Sequence, residues 1–382
     1  MQAAQYTGTS IDDLVARLDA APRAADLVLV FATRAMLEDP RLAAALTAHF
    51  DAPVVGCSSA GEISCQGAEV DSVVVTAVSF AATRVEVARA QVATLADSWA
   101  AGAEIARQLP HAELATVLVF GPGVDINGSA LIAGLSDGLP AAVSISGGLA
   151  GDDGGFDRTS TLAGGEVGPR QVVAVGLYGD RILARHGSNH GWRPFGPLRR
   201  VTRCQGNLLY ELDVRPALDI YREYLGDYAR DLPTTGLLFP FEMVSADGGQ
   251  VGLIRTILGI DADAGMLILA GDIAPDGFLR LMHSTTNALV DGAEAAATAV
   301  AGQPADDALA LLVSCVGRRL VMGPRTDDEI EAVRAILGAR TTIAGFYSYG
   351  EIAPHLTASD CALHNQTMTV TYLIEKAVAG TL

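Results

Sequence analysis

One short loop occurs twice in this chain, as GCSSAGEI at residues 56–63 and as GFYSYGEI at 345–352, and a looser version, SGGLAGDD, stands at 146–153. Each copy occupies the same place in a succession of elements. The first unit runs strand Leu27–Phe31, helix, short strand Pro53–Val55, loop, strand Val73–Phe80. The second runs strand Thr116–Phe120, helix Ser129–Leu135, strand Ala141–Ile145, loop, strand Val172–Leu177. The third runs strand Leu309–Val313, helix, strand Thr341–Ile343, loop, strand Met368–Leu373. Recurrence of a whole supersecondary unit constrains a fold more than any single motif does. It predicts an α/β, two-domain protein with repeated strand-helix-strand units and mixed sheets. Aligned on the glycine–acid step, the three loops place Glu62, Asp152 and Glu351 at one position.

The strand readings rest on short Val-, Leu- and Ile-rich runs bounded by polar residues or Gly, as buried strands are. Ala-rich stretches with helical spacing lie between them, at Ile11–Ala20, Pro40–Phe50, Leu95–Gln108, Asn287–Ala301 and Thr326–Leu337. Ser10 and Thr326 each precede an acidic first turn and read as N-caps. Between the second and third units the pattern changes. Strands are predicted at Ile182–His186, Arg199–Cys204 and Leu208–Leu212, with Gln205-Gly206-Asn207 as a hairpin turn. Pro216 opens a helix through Leu225, and Gly252–Ile260 with Met266–Ala270 bracket a second hairpin. The domain boundary falls near 212–216, giving domains 1–212 and 213–382. At 382 residues the chain exceeds one ordinary core, which agrees with two domains.

With 44 acidic against 26 basic residues the formal charge is −18. Such a surface repels phosphate backbones and anionic lipid, so neither nucleic acid nor membrane is an expected partner. No apolar run is long enough to span a bilayer, and Met1–Ser10 lacks the order of a signal peptide, so a cytoplasmic protein is expected. The five cysteines are scattered and form no Cys-x-x-Cys pair, which predicts neither a disulfide framework nor a structural zinc site. His186 and His190 stand four apart in a Gly- and Asn-containing stretch, without acidic or cysteine partners nearby.

Three chemistries compete for the loops. Cys57 beside Ser58 and Ser59 resembles a nucleophile elbow, but GCSSAG is one residue too long for Gly-x-Ser-x-Gly, and the third copy replaces the thiol with Phe346. GPGVDING, at 121–128, follows a strand as a phosphate loop would, yet its glycine spacing fits no dinucleotide fingerprint and no lysine follows. Binding fits better. Glycines offer free N–H groups and close backbone approach, and a carboxylate holds a cationic group such as an amine. On this reading Glu62 and Glu351 beside Ser59 and Ser348, with Tyr347 and Tyr349, line a pocket, and His364 and Asn365 form a polar wall. Against this stands the reading in which each acid only caps its own turn.

VVGCSSAGEI, SISGGLAGDD, GWRPFGP, LLFP, SCVGRR, AGFYSYGEIAP and CALHNQTM resemble, in order, the motifs of the FIST family, from about Leu27 to about Thr369. The resemblance implies an N-terminal and a C-terminal FIST domain and a non-catalytic sensory role, and it carries over as binding positions Gly56, Ser59, Gly61 and Glu62 in the first loop, Gly151 and Asp152 in the second, and Tyr347, Ser348, Gly350 and Glu351 in the third. It implies binding of an amino acid or similar small metabolite, with signalling through a partner protein such as a histidine kinase. One branch of the family binds haem and senses nitric oxide. In that alternative His283 or His190 would be the iron ligand; otherwise no cofactor and no metal is expected. A cysteine-dependent enzyme working through Cys57 is the further alternative.

Overall fold

The computed structural model describes residues 1–302, 307–355 and 360–376. Its first unit runs β1 (Gln2–Gly8), α1 (Ile11–Leu18), β2 (Leu27–Ala32), α2 (Arg34–Leu37), α3 (Pro40–His49), β3 (Val54–Ser58), the hairpin β4 (Glu62–Ser64) and β5 (Gly67–Glu69), and β6 (Val73–Ser79). The second repeats that order. It has β7 (Arg84–Gln91), α4 (Ser98–Gln108), β8 (Leu114–Gly121), α5 (Gly128–Gly138), β9 (Ser144–Leu149), the hairpin β10 (Thr161–Ala163) and β11 (Glu166–Gly168), and β12 (Gln171–Tyr178).

The third unit opens with β13 (Ile182–Asn189) and is interrupted by an insertion. The insertion comprises β14 (Arg193–Pro194), β15 (Arg199–Gln205), β16 (Leu208–Leu212), β17 (Arg215–Pro216), α6 (Ala217–Leu225), β18 (Phe241–Val244), β19 (Gln250–Arg255), β20 (Ile257–Asp261), β21 (Met266–Leu269) and β22 (Phe278–His283). These strands form a separate antiparallel sheet around α6. The unit then resumes with α7 (Thr286–Val300), β23 (Ala308–Cys315), α8 (Val316–Met322), α9 (Asp327–Leu337), β24 (Thr341–Ser348), the hairpin β25 (Gly350–Pro354) and β26 (Cys361–His364), and β27 (Met368–Glu375).

Three six-stranded sheets result, with the orders β1-β6-β2-β3-β10-β11, β7-β12-β8-β9-β25-β26 and β13-β27-β23-β24-β4-β5. Each has one parallel pair at its centre, β2 with β3, β8 with β9 and β23 with β24, and antiparallel neighbours elsewhere. The hairpins are exchanged cyclically. The first unit's β4–β5 joins the third sheet through β24, the second unit's β10–β11 joins the first through β3, and the third unit's β25–β26 joins the second through β9. The two halves read from sequence therefore share their sheets, since β4–β5 and β13 complete a sheet of the second half and β25–β26 one of the first. The inner faces of all three sheets meet in one core, where Phe31 stacks on Phe346 at 4.7 Å and meets Phe120 edge-on at 5.6 Å.

Local chemistry explains several boundaries. Ser10 caps α1 by accepting the amide of Asp13 at 3.1 Å. Thr326 does not cap α9. Its own backbone is helical because the preceding 310 turn Gly323–Arg325 runs directly into the helix, and its hydroxyl donates back to Gly323 O. The strand read as Ala141–Ile145 is displaced to Ser144–Leu149, since Ser146-Gly147-Gly148 continues the sheet instead of opening a loop. The strand read as Gly252–Ile260 is two strands that break at Thr256. The phosphate-loop candidate is the connection from β8 to α5, where Asn127 caps the helix by accepting from Ala130 N.

Candidate functional site

The repeated loops converge on one another. Ala60 N donates to Tyr347 O at 2.8 Å, Gly151 N to Ser58 O at 2.9 Å, and Tyr349 N to Leu149 O at 3.1 Å, so three backbone bonds link the three loops in a closed cycle. The shared glycine is explained by close approach. A Cβ on Gly56, Gly147 or Gly345 would lie 1.8, 2.0 or 1.8 Å from the carbonyl oxygen of Val30, Val119 or Leu312, so no other residue fits between the parallel strands. This contact corrects the sequence alignment by one residue in the second unit. Gly147 matches Gly56 and Gly345, which sets Asp153, not Asp152, opposite Glu62 and Glu351. Packing fixes the register at the glycine; the acid plays no part in it.

The three acids then differ. Glu62 is fully buried, accepting from the hydroxyls of Ser59 and Ser72 (2.7 Å for the latter), and burial pushes its pKa up to about 7. Glu351 is equally buried, accepts from Ser348 Oγ at 2.7 Å and Thr367 N at 3.1 Å, and is pushed up to about 8 by burial. Asp153 is exposed and pairs with Arg319 at 2.9 Å. Asp152 accepts the amides of Phe156, Asp157 and Arg158 at 2.8–2.9 Å and the hydroxyl of Tyr349, so it caps its own turn.

The remaining expected site residues are also interior. Tyr347 OH donates to Glu329 at 2.8 Å, and Tyr349 stacks on Phe156 at 4.0 Å. His364 is buried with Nε2 3.2 Å from Ala353 O, and burial pulls it down to about 3. Asn365 donates to His364 O while its Oδ1 has no partner among the described residues. Gly61 lies in the first loop against Tyr347, and Gly350 pairs with Leu149. The loops thus bring Ser59 to Glu62, and Ser348 to Glu351, but expose neither acid. Cys57 has no exposure in the central core and its thiol is pushed well above the usual range by burial, so it offers no accessible nucleophile.

Of the two histidines named for haem, His190 is already engaged. His190 Nδ1 accepts the amide of Trp192 at 2.9 Å, so the neutral ring carries its proton on Nε2 and has no free lone pair for iron. The adjoining cleft, of about 220 Å³, is smaller than even a drug-sized ligand requires. His283 packs edge-on against Phe195 at the end of β22. Among the described residues no group of three or more His, Cys, Asp or Glu is placed to hold a metal.

Two arginines escaped the sequence reading. Arg318 and Glu329, both without exposure, form an ion pair at 2.7 Å that Ser314 and Tyr347 complete by hydrogen bonds to the other carboxylate oxygen. Arg255, in the otherwise apolar run VGLIRTILGI, lines a cleft of about 310 Å³. One wall of that cleft is the stripe Ser129, Ile132, Ala133 and Ser136 of α5, at the i, i+3, i+4, i+7 spacing of one helix face. Asp360 and Cys361–Leu363, leading into and along β26, form the other. A lone arginine inside a β-branched run was the available signal for both the buried charge and the cleft.

The FIST N domain profile matches residues 26–215 and the FIST C domain profile residues 217–354. The chain belongs to the FIST family. FIST domains are generally sensory domains linked to signal transduction and small-ligand binding. An uncharacterized protein of Mycobacterium tuberculosis is 30% identical over 220 residues, covering 54% of this chain and 56% of its own length. Another, of Mycobacterium bovis, is 28% identical over 273 residues, covering 70% and 66%. The match thus spans little more than half the length of the first of these relatives. A crystal structure of cyanuric acid hydrolase from A. caulinodans aligns over 99% of both chains with a TM-score of 0.37 and 10% identity, too distant to carry an argument. The cleft at Arg255 lies where the two FIST domains meet, with α5 from the first and β19 from the second. No helix among the described residues is long and apolar enough to cross a membrane.

Proposed function

We propose that this FIST protein is a sensor that binds a small polar metabolite, an amino acid or a similar zwitterion, in the cleft between α5 and β26 and reports occupancy to a separate signalling protein such as a histidine kinase. The observation that carries this reading is the lining of that cleft. It gathers a cation (Arg255), a carboxylate (Asp360) and two serine side chains (Ser129 and Ser136) around a volume of about 310 Å³. That volume is at the small end of ligand sites, which suits a metabolite of a few heavy atoms. The position supports a sensing role as well. β25–β26 is the hairpin that the third unit lends to the second sheet, so a guest between α5 and β26 bears on the exchange that joins the two domains.

In this reading the glycine–acid loops are the joint behind the cleft, and Glu351 is paired in register with His364, the last residue of β26. The test is a thermal-shift screen of the whole chain against amino acids, organic acids, amines and sugars. A ligand at about 100 times its Kd adds roughly 2.7 kcal/mol to stability. A flat response across the panel would remove the ligand-binding reading.

A further inference from the structure

Arg255 and Arg318 are both almost wholly buried, but they differ in what meets their charge. Arg318 is neutralised by Glu329. Arg255, 4% exposed, donates from Nε to Asp272 O at 2.9 Å and from Nη1 to Ile254 O at 3.0 Å and Leu363 O at 3.1 Å. All three acceptors are neutral backbone carbonyls. No carboxylate among the described residues reaches it as an ion-pair partner, and Nη2 donates to no acceptor among them. The nearby Asp272 carboxylate favours the charged form only through space, and is itself hydrogen-bonded by Asn127 Nδ2 at 3.3 Å. Burial draws the Arg255 pKa down to about 10, which still leaves it charged at neutral pH. A desolvated cation with no anion in direct contact is unfavourable, and a planar guanidinium with a spare N–H matches a carboxylate edge. Gly271 adds to the arrangement, since a Cβ there would stand 3.0 Å from Nε and 3.2 Å from Cζ and press on the group.

We propose that Arg255 anchors a carboxylate-binding site, and that the ligand of this cleft is a small organic acid whose carboxylate supplies a counter-charge in direct contact with the spare N–H. The assignment rests on the ligand-binding reading above and specifies it. A carboxylate is favoured over a phosphate because the lining offers a single cation and includes Asp360, and the chain carries −18 overall, all of which oppose a dianion.

The test is calorimetric titration of the full-length protein with glycine, alanine, pyruvate, succinate and inorganic phosphate. At least one carboxylate is expected to bind, and its methyl ester to bind about tenfold more weakly or worse to the unaltered protein. Arg255→Met is expected to lose at least about tenfold in affinity, and Arg255→Lys to fall between. Equal binding of acid and ester overturns the assignment even if the variants fail to fold, as does unchanged affinity in a folded Arg255→Met protein. If phosphate binds and no carboxylate does, the assignment also falls. Binding only of amines or sugars in the wider screen overturns the carboxylate assignment while leaving the sensor reading standing; no binding by any compound removes both.

Discussion

Replacing Glu351 by glutamine is expected to stabilise this protein at alkaline pH and to do little at acid pH. Glu351 is completely buried, with one hydroxyl and one amide as its hydrogen-bond donors, and its pKa rises from 4.5 to about 8. A carboxyl whose folded pKa lies above its unfolded value contributes its full stability below about pH 4.5. That contribution is lost as pH rises, because the unfolded chain ionises first, and the loss is complete once pH passes the folded value of about 8. A shift from 4.5 to about 8 is worth about 5 kcal/mol at 1.36 kcal/mol per unit, a large share of the 5–15 kcal/mol typical of a folded domain. Glutamine keeps the shape and cannot ionise. The difference in urea denaturation midpoint between Glu351→Gln and the parent cancels the histidines and Glu62, whose carboxyl is also raised, to about 7. It should therefore grow steadily in the variant's favour from pH 5 to pH 8.5, with the variant the more stable above about pH 7. The histidines act in the opposite window. His186 and His190 are held down to about 4 by burial and His364 to about 3, so their contribution is present above about pH 6.5 and is lost toward pH 3–4, in parent and variant alike. A parent–variant difference that does not change between pH 5 and 8.5, or a variant destabilised at pH 8.5, would mean that Glu351 is ionised and held as an anion, and the burial argument would be refuted.

Glu329→Gln should destabilise the protein by about 3–5 kcal/mol in chemical denaturation, because it strands the buried charge of Arg318, whereas Arg318→Met combined with Glu329→Leu should recover much of that loss. Gly345→Ala should cost more than about 3 kcal/mol or prevent folding, since its Cβ would sit 1.8 Å from Leu312 O, while Gly165→Ala, which meets nothing within 4 Å, should stay within about 1 kcal/mol of the parent by thermal melting. Residues 1–212 and 213–382 expressed apart should fail to give cooperative unfolding, and co-expressed should purify together, because β4–β5, β13 and β25–β26 each complete a sheet of the other half; two independently cooperative fragments would contradict the exchange.

The repeated units were legible because their central strands, such as Leu27–Ala32 and Ala308–Cys315, are buried along their whole length and so read as unbroken apolar runs. The exchanged hairpins were not. Glu62–Ser64 and Gly67–Glu69 are three residues each, too short to show a period, and their partner strand lies nearly 300 residues away. The edge strand Arg84–Gln91 was missed for another reason: its mixed, half-exposed pattern carries little apolar signal. At the site, sequence found the loops but misjudged their surroundings. The glycines and acids read as free N–H groups and carboxylates open to a guest, whereas the backbone cycle through Ala60, Gly151 and Tyr349 closes the loops on one another and Glu62 and Glu351 are buried. Arg255 stood out in the sequence only as a lone charge in an apolar run; that no carboxylate among the described residues pairs with it directly is a property of the folded chain.

A structure of the full-length protein bound to whichever metabolite gives the largest thermal stabilisation tests the central claim most directly. The account predicts the ligand between the Ser129–Ser136 face of α5 and β26, with an acidic oxygen on the Arg255 guanidinium. A ligand seated anywhere else, above all one displacing Ser348 from Glu351 among the glycine–acid loops, would contradict it.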